Sequence, residues 1–449
     1  MAAAALACCL AVVIAVASGA LGGQFRSIGN HDAPAVDSTT GLYFSLNDMD
    51  AQVANVLLVG GDASLGADRA QDLAIYGSDR TTADADLTQA LATSGGNAAA
   101  QRELRSALDG VGQYEALAAD ALLTDQQASS SVGRAPAASL AYYQQATDLM
   151  ATSILPAVSS LTSVSASSLD ASYSDGTSTA WTAAGVVIAA GVALIAILVA
   201  LQLYLSARFR RLVNPALIAA TVVAVALVIT AATRLTAEAG HLKVAKQDAF
   251  DSILALTQAR AVSYNANADE SRYLVDPARA AQYQQSFLAK SQQLADVGNV
   301  GIFGYDAALA ADIRAYEGDN SDVRFGGYLG AEFGNITFPG ERAAAVAALL
   351  AYQVYERDDR KLRALAKTNL AAAVAYDIGT APGQSDWAFN QYDQDLSSVI
   401  AINSAAFADA IQAGQGDTAS WNLAFPVAGA VLLALLVLAG VRPRLAEYR

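Results

Sequence analysis

Apolar residues are concentrated in four long runs that contain no charged side chain. These runs comprise residues 2–21, 183–205, 217–233 and 423–441. A helix of about 20 residues spans the roughly 30 Å hydrocarbon core of a bilayer, so the pattern predicts four transmembrane helices. The first run has a second interpretation as a cleaved signal peptide, because the small residues at 15–18 resemble a cleavage site.

The segments between these runs, residues 23–180 and 235–420, are predicted to be helical. Ala, Leu, Gln, Asp and Glu dominate both segments, and proline is scarce. From 250 to 275, apolar and small residues alternate by four and three, as in the seam of a helical bundle. Pro277 then predicts the end of this helix, because proline cannot continue it.

Together these patterns predict an all-α membrane protein with two extracytoplasmic sensor domains, each resembling an antiparallel four-helix bundle. The predicted transmembrane helices are 1–22, 181–207, 215–234 and 421–441. The predicted bundles are 23–180 and 235–420, the second with an insertion at 298–340, and the remaining parts are a basic loop at 208–214 and a tail at 442–449.

The insertion at 298–340 is rich in glycine and aromatic residues, and it is too long for a bundle turn. Long ordered loops often carry function. One interpretation is an interface for a partner protein, formed by Arg324, Phe325 and Tyr328, because arginine and aromatic residues are enriched where proteins meet. The other is a lid that packs on the flank of its own bundle.

Arginine residues predict the orientation of the chain in the membrane. Arg208, Arg210 and Arg211 lie in the only short loop, and Arg442 and Arg444 follow the last apolar run. Basic residues beside short loops remain cytoplasmic, so we expect the loop and tail inside and both long segments outside the plasma membrane. The same arginines have a second interpretation as docking residues for an output protein.

Composition excludes several other classes of protein. The chain is 54% apolar and 15% charged, which is unusual for a soluble protein of this length. Its net charge of −15 disfavours nucleic acid as a partner. His31 and His241 each stand alone in the sequence, and neither a metal-ligand cluster nor a phosphate-binding loop is recognisable. We therefore expect a protein that is not an enzyme and that has no cofactor or metal.

The stretch "NADESRYLVDP", residues 267–277, is the strongest candidate for a recognition site. Arg272 is spaced to pair with Asp269 and with Asp276 along a helix. One interpretation is a solvated helix face. The other is a surface that contacts a ligand or a protein near the membrane-distal tip. The candidate binding residues along this helix are Arg260, Tyr264, Glu270, Arg272 and Tyr273.

Two motifs, "ADESRYLVDP" at 268–277 and "GGYLGAEFGNITFPGER" at 326–342, together with the four-span plan, resemble the GlnX-like actinobacterial membrane sensors. The resemblance implies a response to extracellular acidic amino acids or glutamine. It implies a GlnH-like amino-acid-binding lipoprotein as the partner outside and a PknG-like Ser/Thr kinase as the effector inside. No catalytic residues follow from it.

We therefore expect a multi-pass sensor that lies in the lipid bilayer and passes an extracellular signal to a cytosolic effector. A chemoreceptor-like bundle that binds a small molecule directly is the first alternative, and a passive cell-envelope scaffold is the second. A homodimer is compatible with each of these.

Overall fold

The computed structural model describes residues 2–62, 65–95, 97–209, 214–420 and 424–446. Every regular element in these ranges is helical, as predicted. The α-helices are α1 Ala2–Ser27, α2 Ala33–Val59, α3 Gly66–Thr93, α4 Ala98–Ala128, α5 Ala137–Leu149, α6 Leu155–Phe209, α7 Pro215–Lys243, α8 Asp251–Val275, α9 Ala280–Leu294, α10 Ile302–Gly318, α11 Gly327–Asn335, α12 Glu341–Ala366, α13 Leu370–Asp377, α14 Ser385–Ser420 and α15 Ala424–Ala446. Short π-helical segments cover Ile28–Asp32, Met150–Ile154 and Val244–Phe250.

The chain forms two compact units. Unit 1 contains residues 1–31, 168–247 and 406–449, and unit 2 contains residues 32–167 and 248–405. Two of the points at which the chain passes from one unit to the other, 31/32 and 247/248, fall inside π-helical segments.

Unit 1 includes the residues of the four apolar runs. Five helical stretches in the described part of the chain are long and apolar enough to cross a membrane: Ala2–Val59, Ala137–Ala207, Pro215–Val275, Ser385–Thr418 and Ala424–Arg442. All but the last of these continue along the chain into residues of unit 2. Four of the five cover the described residues of the predicted runs. The additional stretch, Ser385–Thr418, is the least apolar of the five. These helices suggest a membrane protein.

Close packing in unit 1 depends on small residues. A Cβ atom added at Gly414 would lie 2.2 Å from the ring of Phe25, and one added at Gly191 would lie 2.2 Å from Val228. At the polar end of these helices, Asp417 pairs with Arg234. Glycine thus allows helix–helix contacts that any larger residue would prevent.

Unit 2 combines both polar segments, where the sequence predicted a separate bundle for each. In α2, every residue from 45 to 59 is buried, so this helix must be covered on all sides. Helices α3 and α8 both pack along it, and α8 belongs to the second segment. One apolar core therefore contains residues of both segments, among them Leu46, Leu57, Tyr114, Leu274, Leu362 and Val374.

The predicted insertion at 298–340 is part of a second apolar core in unit 2. It contains α10 and α11, and its Tyr305, Phe325 and Phe333 are buried in that core. Gly327 has a φ of +70°, and a Cβ atom there would lie 2.5 Å from the carbonyl oxygen of Gln293. The segment therefore packs against its own domain, as the lid interpretation expects.

Candidate functional site in unit 2

A cavity of about 380 Å³ lies among α2, α8, α9 and the π-helical segment between α5 and α6. Its polar lining includes Tyr43, Asp50, Thr147, Asn265, Asp269, Arg272, Gln282, Tyr283, Ser286 and Lys290. Its apolar lining includes Met150, Ala151, Leu155 and Pro156. Ligand pockets combine an apolar lining with a few placed polar or charged groups, and this cavity has both kinds of side chain.

Arg272 is the centre of the charged cluster. Its Nη2 lies 2.5 Å from Oδ2 of Asp50, and its Nη1 lies 2.6 Å from Oδ1 of Asp269. Its Nε donates to the hydroxyl of Tyr143 at 3.1 Å. Arg272 and both carboxylates are buried. An ion cluster in this setting carries a desolvation penalty that its mutual attraction must offset.

Lys290 is the second cation of the cluster. Its Nζ lies 2.5 Å from Oδ2 of Asp269, so this one carboxylate bridges both cations. Nζ also donates to Oδ1 of Asn265 at 2.7 Å. Burial lowers the pKa of the Lys290 ammonium to about 8, although the nearby Asp269 carboxylate raises it in part.

The Asp50 carboxylate accepts hydrogen bonds from three side chains. Besides Arg272, it accepts a hydrogen bond from the Thr147 hydroxyl at 2.6 Å and another from the Tyr114 hydroxyl at 3.1 Å. The cluster thus contains two cations, Arg272 and Lys290, and two anions, Asp50 and Asp269.

The π-helical segment Met150–Ile154 shapes one wall of the cavity. The Leu155 N–H bonds to the carbonyl of Met150, five residues back. Pro156 follows directly, and because it has no N–H it cannot restore the regular α-helical ladder at this point. Such segments are rare in proteins and occur often at functional sites.

The solvated-face interpretation of residues 267–277 is wrong, because most of these side chains are buried. The predicted pair between Asp269 and Arg272 is present. Asp276, the other predicted partner of Arg272, instead accepts from Nε2 of Gln144 at 2.8 Å and lies 3.9 Å from Nε of Arg279.

The other predicted residues of α8 lie outside this cavity. Arg260 makes a two-pronged contact with Asp393, at 2.6 and 2.9 Å, and its guanidinium lies 4.4 Å from the ring centre of Phe44. Arg260 also lines a separate cavity of about 330 Å³. Tyr264 packs edge-on against Phe44 and Phe389.

Glu270 and Tyr273 lie near Arg363. Glu270 is fully buried, and its carboxylate accepts from Ser385 at 3.3 Å. Burial raises the pKa of Glu270 well above its usual range, and the neighbouring Asp359 raises it further. The ring of Tyr273 is 4.6 Å from the guanidinium carbon of Arg363.

The predicted residues of the insertion have three different environments. Arg324 is exposed and pairs with Asp322 at 2.6 Å in the same loop. Phe325 is buried against Phe333, with ring centres 5.2 Å apart. Tyr328 is partly buried and lines a small cavity of about 150 Å³. Of these three side chains, only that of Arg324 is exposed to solvent.

Most of the arginines from which the topology was predicted have side chains outside the described part of the structure. Arg210 and Arg211 fall outside the described residues. The side chains of Arg208 and Arg444 are likewise outside the description, while Arg442 is exposed near the end of α15. Their topological and docking roles remain predictions.

Sequence reasoning missed Asp50, Asn265 and Lys290. The partners of Asp50 and Lys290 are distant in the chain, so no local spacing connects them. Asn265 lies two helical turns before its partner Arg272, a spacing that the sequence analysis did not use. One signal was available in α2, where "LNDMDAQVANVLL" places carboxylates inside an apolar run. Polar groups in a helix that is apolar all around are costly to bury and commonly functional.

The described residues thus combine several apolar helices of membrane-crossing length with a buried charged cavity. A family model described as an actinobacterial sensor domain matches residues 24–174. This range includes the cavity residues Asp50 and Thr147, and the match suggests a sensor role. No curated protein and no solved structure significantly matches the chain.

Proposed function

We propose that the chain is a non-enzymatic, multi-pass sensor of the plasma membrane. In this proposal unit 2 is extracytoplasmic, detects an extracellular signal and relays it to a cytosolic effector. The sensor-domain match over 24–174 and the apolar helices support the role. The arginines beside the apolar runs support the orientation.

The observation that carries the proposal is the buried charged cavity. Apolar residues of similar volume often stabilise a protein as well as a buried ion cluster does. The cluster of Arg272, Lys290, Asp50 and Asp269 is therefore poorly explained by stability alone. A cavity beside it offers space for a polar signal molecule.

The signal proposed from the resemblance is an acidic amino acid or glutamine, and the proposed effector is a PknG-like Ser/Thr kinase. The cavity favours direct recognition by this chain. A second route, through a GlnH-like carrier lipoprotein, is favoured by the exposed groups of the 298–340 segment, Arg324 and Phe303.

A topology experiment tests the proposed orientation. We expect a reporter that is active only in the cytosol to work after residue 449 and to fail when it is inserted at Ser321. Activity at Ser321 would contradict an extracytoplasmic unit 2. Insertion at Gly133 provides an independent site in the other segment.

A partner experiment tests the proposed sensor role. Tagged full-length protein is purified from membranes of cells grown with and without added glutamate, aspartate or glutamine. We expect the amount of a co-purified cytosolic Ser/Thr kinase, or its phosphorylation state, to change with the signal. Identical partners and identical kinase phosphorylation in every condition would contradict the relay and favour a passive scaffold.

A further inference from the structure

We propose that the charged cavity binds a free α-amino acid as a zwitterion. In this assignment Arg272 and Lys290 donate to the α-carboxylate, while Asp269 and Asp50 accept from the α-ammonium. The inference rests on the proposed sensor function and deepens it, because it requires the signal to bind this chain itself.

Charge balance favours a zwitterion over other anions or cations. The buried cluster has two cations and two anions in mutual contact, at distances of 2.5 to 2.6 Å. A third carboxylate of the lining, Asp148, is 51% exposed and pairs with Arg279. A zwitterion adds no net charge, so each of its ends can replace half of an existing ion pair. A dicarboxylate would bring two uncompensated negative charges into a site that already contains Asp50 and Asp269, and a simple amine would bring an uncompensated positive charge.

Asp269 is the group best placed for the exchange. Its two oxygens bond separately to Arg272 and Lys290, so it holds both cations together at one side of the cavity. A ligand carboxylate that engages Lys290 releases one Asp269 oxygen, which then accepts from the ligand ammonium. The exchange breaks the charge-assisted hydrogen bond from Lys290 to Asp269 and forms two others, one from Lys290 to the ligand carboxylate and one from the ligand ammonium to Asp269.

Asn265 provides further groups of the required kind. Its Oδ1 accepts from Lys290 at 2.7 Å and from Arg272 at 3.1 Å, and its backbone carbonyl accepts from Lys290 at 3.0 Å. When Lys290 turns to a ligand carboxylate, these oxygens become free to accept from an ammonium group. They add no charge to the site.

The rest of the cavity accommodates an amino-acid side chain of moderate size. Its volume of about 380 Å³ is at the small end of the range for ligand pockets. Gln282, Tyr283 and Ser286 provide polar contacts, whereas Met150, Leu155 and Pro156 provide apolar ones. This mixed lining suits an aliphatic stem with a polar end.

Analogue titration of the full chain in detergent or nanodiscs tests the assignment. Melting temperature is measured against glutamine, whose only charges are the α-ammonium and the α-carboxylate, against glutaramate, which lacks the ammonium, and against 4-aminobutanamide, which lacks the carboxylate. We expect glutamine to raise the melting temperature and each analogue to need a roughly tenfold or higher concentration for the same shift, because each leaves a buried charge unpaired. Glutaramate as effective as glutamine would overturn the zwitterion assignment.

Paired variants locate the effect. Lys290→Gln and Asp269→Asn should each abolish the glutamine-induced shift. The matched control is Arg360→Gln, which also removes a cation paired with an aspartate, Asp306, but away from the cavity. A glutamine response that survives in both cavity variants would overturn the proposal.

A measurement on the unaltered chain avoids the risk that these variants fail to fold. Lys290 is only 14% exposed and lines the cavity, whereas Lys361 and Lys367 are on the surface. Glutamine should slow acylation of Lys290 and leave both surface lysines unchanged. Equal labelling of Lys290 with and without saturating glutamate, aspartate and glutamine would overturn the assignment.

The two proposals fail in distinguishable ways. If the purified chain binds none of these amino acids but kinase phosphorylation in cells still follows them, the sensor function stands and recognition occurs through a carrier. If neither binding nor kinase output responds, both proposals fail.

Discussion

At the residue scale, the cluster around Arg272 shows which contacts the sequence can predict and which it cannot. The spacing of Asp269 and Arg272 within one helix predicted their pairing, because residues three apart share a helix face. Asp50 could not be identified, since it is 222 positions from Arg272 and only the packing of α2 on α8 brings the two together. Local spacing does not indicate whether a side chain is buried. The face formed by residues 267–277 could therefore be interpreted from the sequence as exposed to solvent.

Removing one partner of Arg272 should be costly. We expect Asp50→Asn to reduce the free energy of unfolding by about 3 kcal/mol, because it leaves a buried cation with incomplete compensation. The matched control is Asp322→Asn, whose partner Arg324 is exposed, and there we expect less than about 1 kcal/mol. Denaturant unfolding of the detergent-solubilised chain measures both, and equal losses would contradict the proposed energetics.

Phe325 and Arg324 separate the two interpretations of the insertion. Phe325→Ala should lower the free energy of unfolding by about 3–5 kcal/mol, because it opens a cavity in the second core of unit 2. Arg324→Ala should leave stability nearly unchanged, since its side chain is 59% exposed. If Arg324 contacts a carrier, its removal should weaken carrier binding at an unchanged melting temperature. Unchanged binding would leave only the lid role.

At the scale of elements, proline and apolar runs were reliable guides. Pro277 predicted the end of α8, which ends at Val275. The apolar runs predicted helices that the structure contains, because length and apolarity are local properties. The shared core of unit 2 could not be predicted, since polar residues such as Asp48 and Asn55 concealed the complete burial of α2. Helices α10 and α11 were likewise hidden in a segment whose glycines resemble those of loops.

Glycine at position 414 should be required for helix packing in unit 1. We expect Gly414→Ala to lower the melting temperature, because the added Cβ would lie 2.2 Å from the Phe25 ring. Gly416→Ala is the matched control in the same helix, since nothing lies within 4 Å of its Cβ position, and there alanine should be neutral or slightly stabilising. Equal effects at both positions would contradict the close approach of α14 to Phe25.

At the scale of the whole molecule, unit 2 contains several buried carboxyl groups whose pKa values are raised. Burial raises the pKa of Asp48 to about 6, of Asp377 to about 7 and of Glu356 to about 8. Burial and the adjacent Asp48 raise the pKa of Asp79 to about 8. The folded protein therefore retains protons on these groups that the unfolded chain, which titrates near pH 4, has already released.

The free energy of unfolding should consequently fall as pH rises from about 5.5 to 8. In this range the folded protein binds more protons on these carboxyl groups than the unfolded chain does, so a rise in pH favours unfolding. Melting temperature measured across this range tests the direction of the dependence. Asp79→Asn should flatten the slope, since it removes one titrating group, whereas Asp322→Asn on the surface should leave the slope as it is. A melting temperature that rises with pH in this window would contradict the burial of these protonated carboxyls.

The central claim is that this chain is a sensor that recognises its signal in the charged cavity of unit 2. Isothermal titration of the full chain in lipid nanodiscs with glutamate, aspartate and glutamine, in the absence of any other protein, measures this most directly. We expect saturable binding of at least one of them, lost in Lys290→Gln and retained in Arg360→Gln. A folded chain that binds none of the three would contradict direct recognition.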